Sequence, residues 1–148
     1  MDAPLLGDEY FMLKALQLAE QALDEGEVPI GAMVVNTTEI IGKGYNQTER
    51  LFDTTAHAEM LAITAAADHL GNKYLHDCTL YVTLEPCPMC ASALAWAKID
   101  KIIIGAVDEK KGFSLLDEKL LHPKTIVQKG ILATESKLLL QSFFAKKR

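Results

Sequence analysis

Two cysteines stand three residues apart in "TLEPCPMCASALAWA", residues 83–97. Cys87 and Cys90 have the spacing of a redox dithiol, of half a structural zinc knot, or of two ligands to a catalytic metal. The "HAE" at 57–59 supplies what the third case needs, an imidazole in His57 and a carboxylate in Glu59. Two thiolates and an imidazole suit zinc, which accepts sulfur and nitrogen in a tetrahedral shell. A structural site normally closes with four protein ligands, whereas three leave a position open for water. Zinc brings the pKa of such a water to near 7 from about 15.7. A carboxylate beside it takes the proton and passes it to a leaving group, a contribution of about 10²–10⁴-fold in rate. Glu59 lies about 200° around a regular helix from His57, so the pair would straddle that water and not ligate together. His69 is three turns further along and out of reach. His76 and His122 fall in loops and are the remaining imidazoles that could make a fourth ligand. A redox pair would leave His57 and Glu59 without roles, and a closed structural module needs a fourth ligand that the sequence does not clearly offer.

The elements around these residues set their aim. "TTAHAEMLAITAAADHL" reads as a helix with Thr54 or Thr55 at its N-cap, which puts His57 and Glu59 in the first turn. "CTLYVTL" reads as a strand and "PMCASALAWAKI" as a helix whose start carries the cysteines. Both helices follow extended segments, so their N-termini can face one edge of a sheet. The positive ends of their dipoles would offset the excess negative charge there and lower the thiol pKa values, which metal binding requires. "DEYFMLKALQLAEQALDEG" has apolar residues at helical spacing, with Gly26 as its stop. "PIGAMVVN" and "EIIGKGYN" form an antiparallel hairpin about Thr37–Thr38. "KIIIGAV" has the continuous apolar character of a strand buried on both faces. A short helix near 113–121, a strand in "TIVQKGIL" and a closing helix in "ESKLLLQSFFAKK" complete the order α–β–β–α–β–α–β–α–β–α. That order makes an α/β fold, a mixed sheet covered by helices on both faces.

The chain has 148 residues, 49% of them hydrophobic, enough for one domain with a real core. No apolar run reaches the roughly 18 residues of a membrane span. "MDAPLLGDEYFML" has no basic n-region, which argues against a secretory leader. Three cysteines, two of them grouped, argue against a disulfide framework and for a reducing compartment. The net charge of −5 hides an asymmetry. Residues 1–74 carry 12 acidic and 4 basic side chains, and residues 75–148 carry 8 and 11. The basic second half hints at an anionic partner, against the plainer reading of a solvated surface. Cys78 reads as a buried strand residue, and Trp96 as packing or interface.

"HAE" and "PCPMC" fit H-x-E followed by P-C-x-x-C, the zinc deaminase signature. "EYFMLKALQLAEQALDEGEVPIGAMVV", "IIGKGYN", "TAHAEMLAI", "LYVTLEPCPMC" and the closing "GIL…E…LLLQSFF…KKR" extend the likeness over almost the whole chain. In these segments the sequence resembles the bacterial tRNA-specific adenosine deaminases of the cytidine and nucleoside deaminase superfamily. The resemblance implies a single zinc-dependent deaminase domain over 1–148. Its fold would be a three-layer α/β/α sandwich on a central mixed five-stranded sheet, cytidine deaminase-like. One zinc per chain would be held by His57, Cys87 and Cys90, with Glu59 as the proton shuttle. Asn46 would hydrogen-bond the target purine, although in isolation it reads as a turn residue after a strand. Val28, Pro29 and Leu84 match positions around the base, and the Ala58 backbone matches a hydrogen-bond partner of it.

The implied reaction is hydrolysis of adenosine to inosine at the wobble position of tRNA. The implied partner is the anticodon loop, and the implied state is a cytoplasmic homodimer whose partner subunit helps build the site. The alternative is a deaminase of a free base or nucleoside, of guanine or cytosine type, using the same zinc and Glu59. Lys110, Lys111, Phe144, Lys146, Lys147 and Arg148 are the candidate RNA contacts. "DEKKGFSLLDEKLLHP" departs from the family's pattern, being shorter and bulkier than the small-residue loop expected there.

Overall fold

The computed structural model describes residues 7–146. The chain runs α1 (Asp8–Asp24), β1 (Gly31–Asn36), β2 (Glu39–Tyr45), α2 (Ala58–Leu70), β3 (Cys78–Leu84), α3 (Pro88–Trp96), β4 (Lys101–Ala106), β5 (Ile126–Lys129) and α4 (Ala133–Lys146). The strands form one sheet in the order β2-β1-β3-β4-β5. β1 is antiparallel to both β2 and β3, while β3, β4 and β5 are mutually parallel. The expected mixed five-stranded sheet with helices on both faces is what the chain forms.

Strand alternation divides the core in two. Ala32, Val34, Leu80, Val82, Ile102 and Ile104 face α2 and α3 through Ala62, Ala66, Ala91 and Leu94. Met33, Val35, Tyr81 and Ile103, the residues between them, face α1 through Phe11, Met12 and Ala15. β4 is therefore apolar at successive positions because both of its faces are covered, as its sequence predicts. Cys78 is fully buried at the start of β3. Trp96, at 83% exposure, packs in no core, which leaves the interface half of its reading.

β2 and β3 run in the same direction, since each is antiparallel to β1. The carboxyl ends of β2, β3 and β4 therefore share one edge, with Leu84 paired to Ala106 and Tyr45 to Gly31. In open α/β sheets ligands bind in the crevice outside such ends.

Three local expectations are corrected. α2 begins at Ala58 and its N-cap is His57, not Thr54 or Thr55. The Asp53 carboxylate accepts from the Thr55 N–H and hydroxyl at 2.8 and 2.7 Å, so Thr55 belongs to the turn before the helix. The helix expected near 113–121 is two 3₁₀ turns, Phe113–Leu115 and Glu118–Leu120, in which Phe113 alone is buried. They lack the apolar face that sustains an α-helix. The last strand is only four residues long, because Gly130 (φ 96°) and Leu132 (φ 57°) leave extended backbone.

Candidate active site

The site is built from the first turns of α2 and α3. α2 lies directly on β2, because Gly42 and Gly44 present no side chain to it. A Cβ on Gly44 would collide with the Ala58 carbonyl and with Leu61 Cβ. α3 starts at once after β3, through Glu85–Pro86–Cys87, with Cys87 at the N-cap and Pro88 preset for the first helical position. His57 is likewise an N-cap in extended conformation. The His57 side chain makes no cap hydrogen bond to its own helix and lies instead against the two cysteines. Cys90, one turn into α3, is fully buried beneath them.

The His57 Nδ1 lies 3.7 Å from Cys87 Sγ and 3.5 Å from Cys90 Sγ. All three ligand atoms fall within 4.8 Å of one another. A tetrahedral zinc with bonds of about 2.3 Å to sulfur and 2.0–2.1 Å to nitrogen needs S···N spacings of about 3.5–3.6 Å. The donor set and its spacing fit one zinc ion. Among the described residues this is the only such group. His76 instead stacks near Tyr74, and His122 Nδ1 accepts from the Lys124 N–H, so neither expected alternative supplies a fourth ligand.

The electrostatics favour a cation. The hydrogen bond from Cys90 holds the Cys87 thiol down to about 4, helped by His57. The same bond, with burial, pushes Cys90 far up. Two thiols sharing one hydrogen bond do not both ionise unaided, and a divalent cation on both sulfurs is what permits it. Hydrogen bonding to Cys87 raises the His57 imidazole against the effect of burial. Glu59 is 4% exposed, and burial pushes its carboxyl up to about 7.

A cleft of about 1200 Å³ opens over these groups. His57, Glu59 and Cys87 line it together with Val28, Leu84 and Ala58. Pro29 is buried behind Val28 and does not reach the cleft surface. Asn46, 7% exposed, lines the cleft with a side-chain carbonyl that no donor satisfies. Such a group costs about 1–3 kcal/mol when left unpaired, so this acceptor is positioned for a ligand.

Lys110, Lys111 and Phe144 stand at the mouth. Phe144 is 53% exposed, while its neighbour Phe143 is 8% exposed and anchors the helix. Lys146 is exposed at the end of α4 and outside the cleft, and Lys147 and Arg148 lie outside the described residues.

Several cleft residues escape a reading of the sequence. Lys137 and Gln141 reach the mouth from α4, which only the tertiary fold brings there. Glu27, 1% exposed, accepts from the Glu49 and Arg50 N–H groups at 3.1 and 2.8 Å and so pins the segment that carries Asn46 and Thr48. Its one signal is an acid between a glycine and an apolar strand in "GEVPIG". Glu85 is buried as well, beside the cleft.

The comparisons with known proteins agree with this geometry. Residues 6–106 match the model of the cytidine and deoxycytidylate deaminase zinc-binding region. The chain is 47% identical to the tRNA-specific adenosine deaminase of Aquifex aeolicus (strain VF5), over 97% of each protein. A solved structure from work on A-to-I editing by tRNA:A34 deaminases at the wobble position superposes with a TM-score of 0.82 at 39% identity. That match covers 88% of this chain and 99% of the other. Guanine deaminase from Bacillus subtilis superposes with a TM-score of 0.66, also at 39% identity, over 68% of this chain and 65% of its own. With a His-Cys-Cys group that could hold one zinc, a buried glutamate and a five-stranded sheet, the chain belongs to the zinc-binding cytidine and deoxycytidylate deaminase family, and within it to the tRNA-specific adenosine deaminases.

Proposed function

We propose that the protein hydrolyses adenosine to inosine at the wobble position of a tRNA anticodon loop. The observation that carries this reading is one cleft lined by a His-Cys-Cys group that could hold zinc, a buried carboxylate and an orphaned amide carbonyl, with Lys110, Lys111, Lys137 and Phe144 beside Asp108 and Glu109 in the same lining. Zinc, when held by His57, Cys87 and Cys90, supplies Lewis-acid activation of water. Glu59 takes a proton from the attacking water and returns it to the departing amine, so that a C–N bond breaks as a C–O bond forms and ammonia leaves. Asn46 orients the base, since a side-chain amide offers the donor and acceptor pair that matches the edge of adenine. Val28, Leu84 and the Ala58 backbone hold the ring beside His57, Glu59 and Cys87. An adenosine in a loop can be turned out into such a cleft at lower cost than one in a stem. Phe144 is exposed at the mouth for stacking, and Lys110 and Lys111 are there for phosphate.

The second reading is hydrolysis of a free base or nucleoside of guanine or cytosine type. The likeness to a guanine deaminase favours it, but a free base leaves Lys110, Lys111 and Phe144 without work. Incubation with an anticodon stem-loop carrying adenosine at the wobble position, beside free guanine, cytosine and nucleosides, separates the two. The proposed reading requires inosine in the stem-loop; turnover of the free compounds alone would replace it with the second.

The reading extends to a homodimer acting in the cytoplasm, where tRNA is found. Trp96 at 83% and Phe52 at 97% exposure are large apolar groups that a second copy would cover. Sedimentation of the purified protein tests this, and a monomer at micromolar concentration would contradict it. No helix among the described residues is long and apolar enough to cross a membrane.

A further inference from the structure

Glu85 stands two residues before Cys87, is 2% exposed, and takes no part in the zinc group. Its carboxylate is spent on the loop that forms one lip of the cleft. One oxygen accepts from the Asp108 N–H at 3.2 Å. The other accepts from the Ser114 N–H at 3.0 Å and the Ser114 hydroxyl at 2.6 Å. Gly112 lies flat against the same carboxylate, where a Cβ would come within 2.5 Å of the carboxyl carbon and 2.6 Å of both oxygens. The Phe113 N–H donates to the Pro86 carbonyl at 2.9 Å, and the Phe113 ring is in the core. Asp108, held in this way, accepts from the backbone N–H groups of Lys110 and Lys111 at 3.0 Å each. The strand end that delivers Cys87 is thus tied to the backbone that carries the two lysines.

We propose that Glu85 is a positioning residue that fixes Lys110 and Lys111 as phosphate contacts, so that this latch makes the cleft selective for a base presented within single-stranded RNA. This inference rests on the tRNA reading above. A loose loop could still neutralise phosphate, but it would lose the registered contacts. Each contact on single-stranded nucleic acid contributes about −0.7 to the slope of log affinity against log salt, so two of them contribute about −1.4. Chemistry at the zinc group would be untouched.

The test is steady-state kinetics on a wobble-adenosine stem-loop at several salt concentrations, with zinc content measured alongside. Ser114→Ala removes one donor and leaves the carboxylate, and Gly112→Ala pushes a methyl group against it. Both should raise KM about five- to tenfold at moderate salt and flatten its salt slope by about one unit. kcat should stay within about twofold, the split that marks lost binding and not lost chemistry. Ser114→Thr keeps the hydroxyl and should restore the slope. In a Lys110→Ala, Lys111→Ala background, Ser114→Ala should add little, because coupled residues are not additive. Full additivity, an unchanged salt slope, or a fall in kcat at constant KM would each overturn the proposal. Wild-type protein that leaves the stem-loop untouched would overturn the tRNA reading first, and this inference with it.

Discussion

One residue, Ala58, separates His57 from Glu59, and that interval sets the two side chains in different places. His57 is the N-cap of α2, extended and free to turn its ring toward the cysteines; Glu59 is inside the first turn and buried. Replacing Glu59 by Gln should therefore keep one zinc per chain and the fold while lowering kcat by about 10²–10⁴-fold. Metal analysis beside the activity assay decides it, and loss of zinc would make Glu59 a ligand. Asn46 carries a cost in stability, because its buried carbonyl has no protein donor. Asn46→Ala should lower kcat/KM by about 1–3 kcal/mol, the worth of a bidentate amide–base pair. Its Tm should not fall, since the orphaned acceptor goes with it. A large fall in Tm with unchanged kinetics would mean that Asn46 only shapes the turn after β2.

Element by element, the glycines of β2 matter as much as the ligands. Gly44 lets the α2 backbone rest on the sheet, and this depth sets where His57 stands. Gly44→Ala should cost about 1–3 kcal/mol through overpacking and reduce zinc occupancy as α2 lifts. Thermal melting and metal content check this, and a variant melting with wild type would show that α2 has room to spare. The sequence reveals the zinc group and most of the elements because they depend on short-range spacing. C-x-x-C at a helix start, H-x-E and the continuous apolar run of β4 are each legible within ten residues. What it conceals depends on neighbours distant in the chain. The start of α2 shifts because Asp53 captures Thr55. The segment 113–121 winds only into 3₁₀ turns, with Phe113 and Leu121 in the core and Leu115 and Leu116 exposed between them. Glu27 and Glu85 gain their partners only when tertiary structure brings backbone N–H groups onto them.

At the scale of the whole molecule, the second half of the chain supplies three lysines to the cleft, beside Asp108 and Glu109. Lys110, Lys111 and Lys137 line it with Phe144, and both halves of the chain contribute to the lining. Lys146 continues that character at the end of α4. Deleting Ala145–Arg148 should weaken RNA binding and flatten its salt slope by about one to two units, while zinc content holds. An unchanged slope with a lower Tm would leave those cations the lesser role of favouring a helix C-terminus, about 0.3–1 kcal/mol. The proposed reaction is a zinc-dependent conversion of one adenosine in an anticodon loop. Mass spectrometry of a tRNA bearing adenosine at the wobble position, after incubation with zinc-loaded and with chelator-stripped protein, tests it most directly. Inosine at that position alone, formed by the zinc-loaded protein and lost on stripping, is the predicted result. An unaltered wobble adenosine from a preparation that consumes free guanine or cytidine would contradict the account.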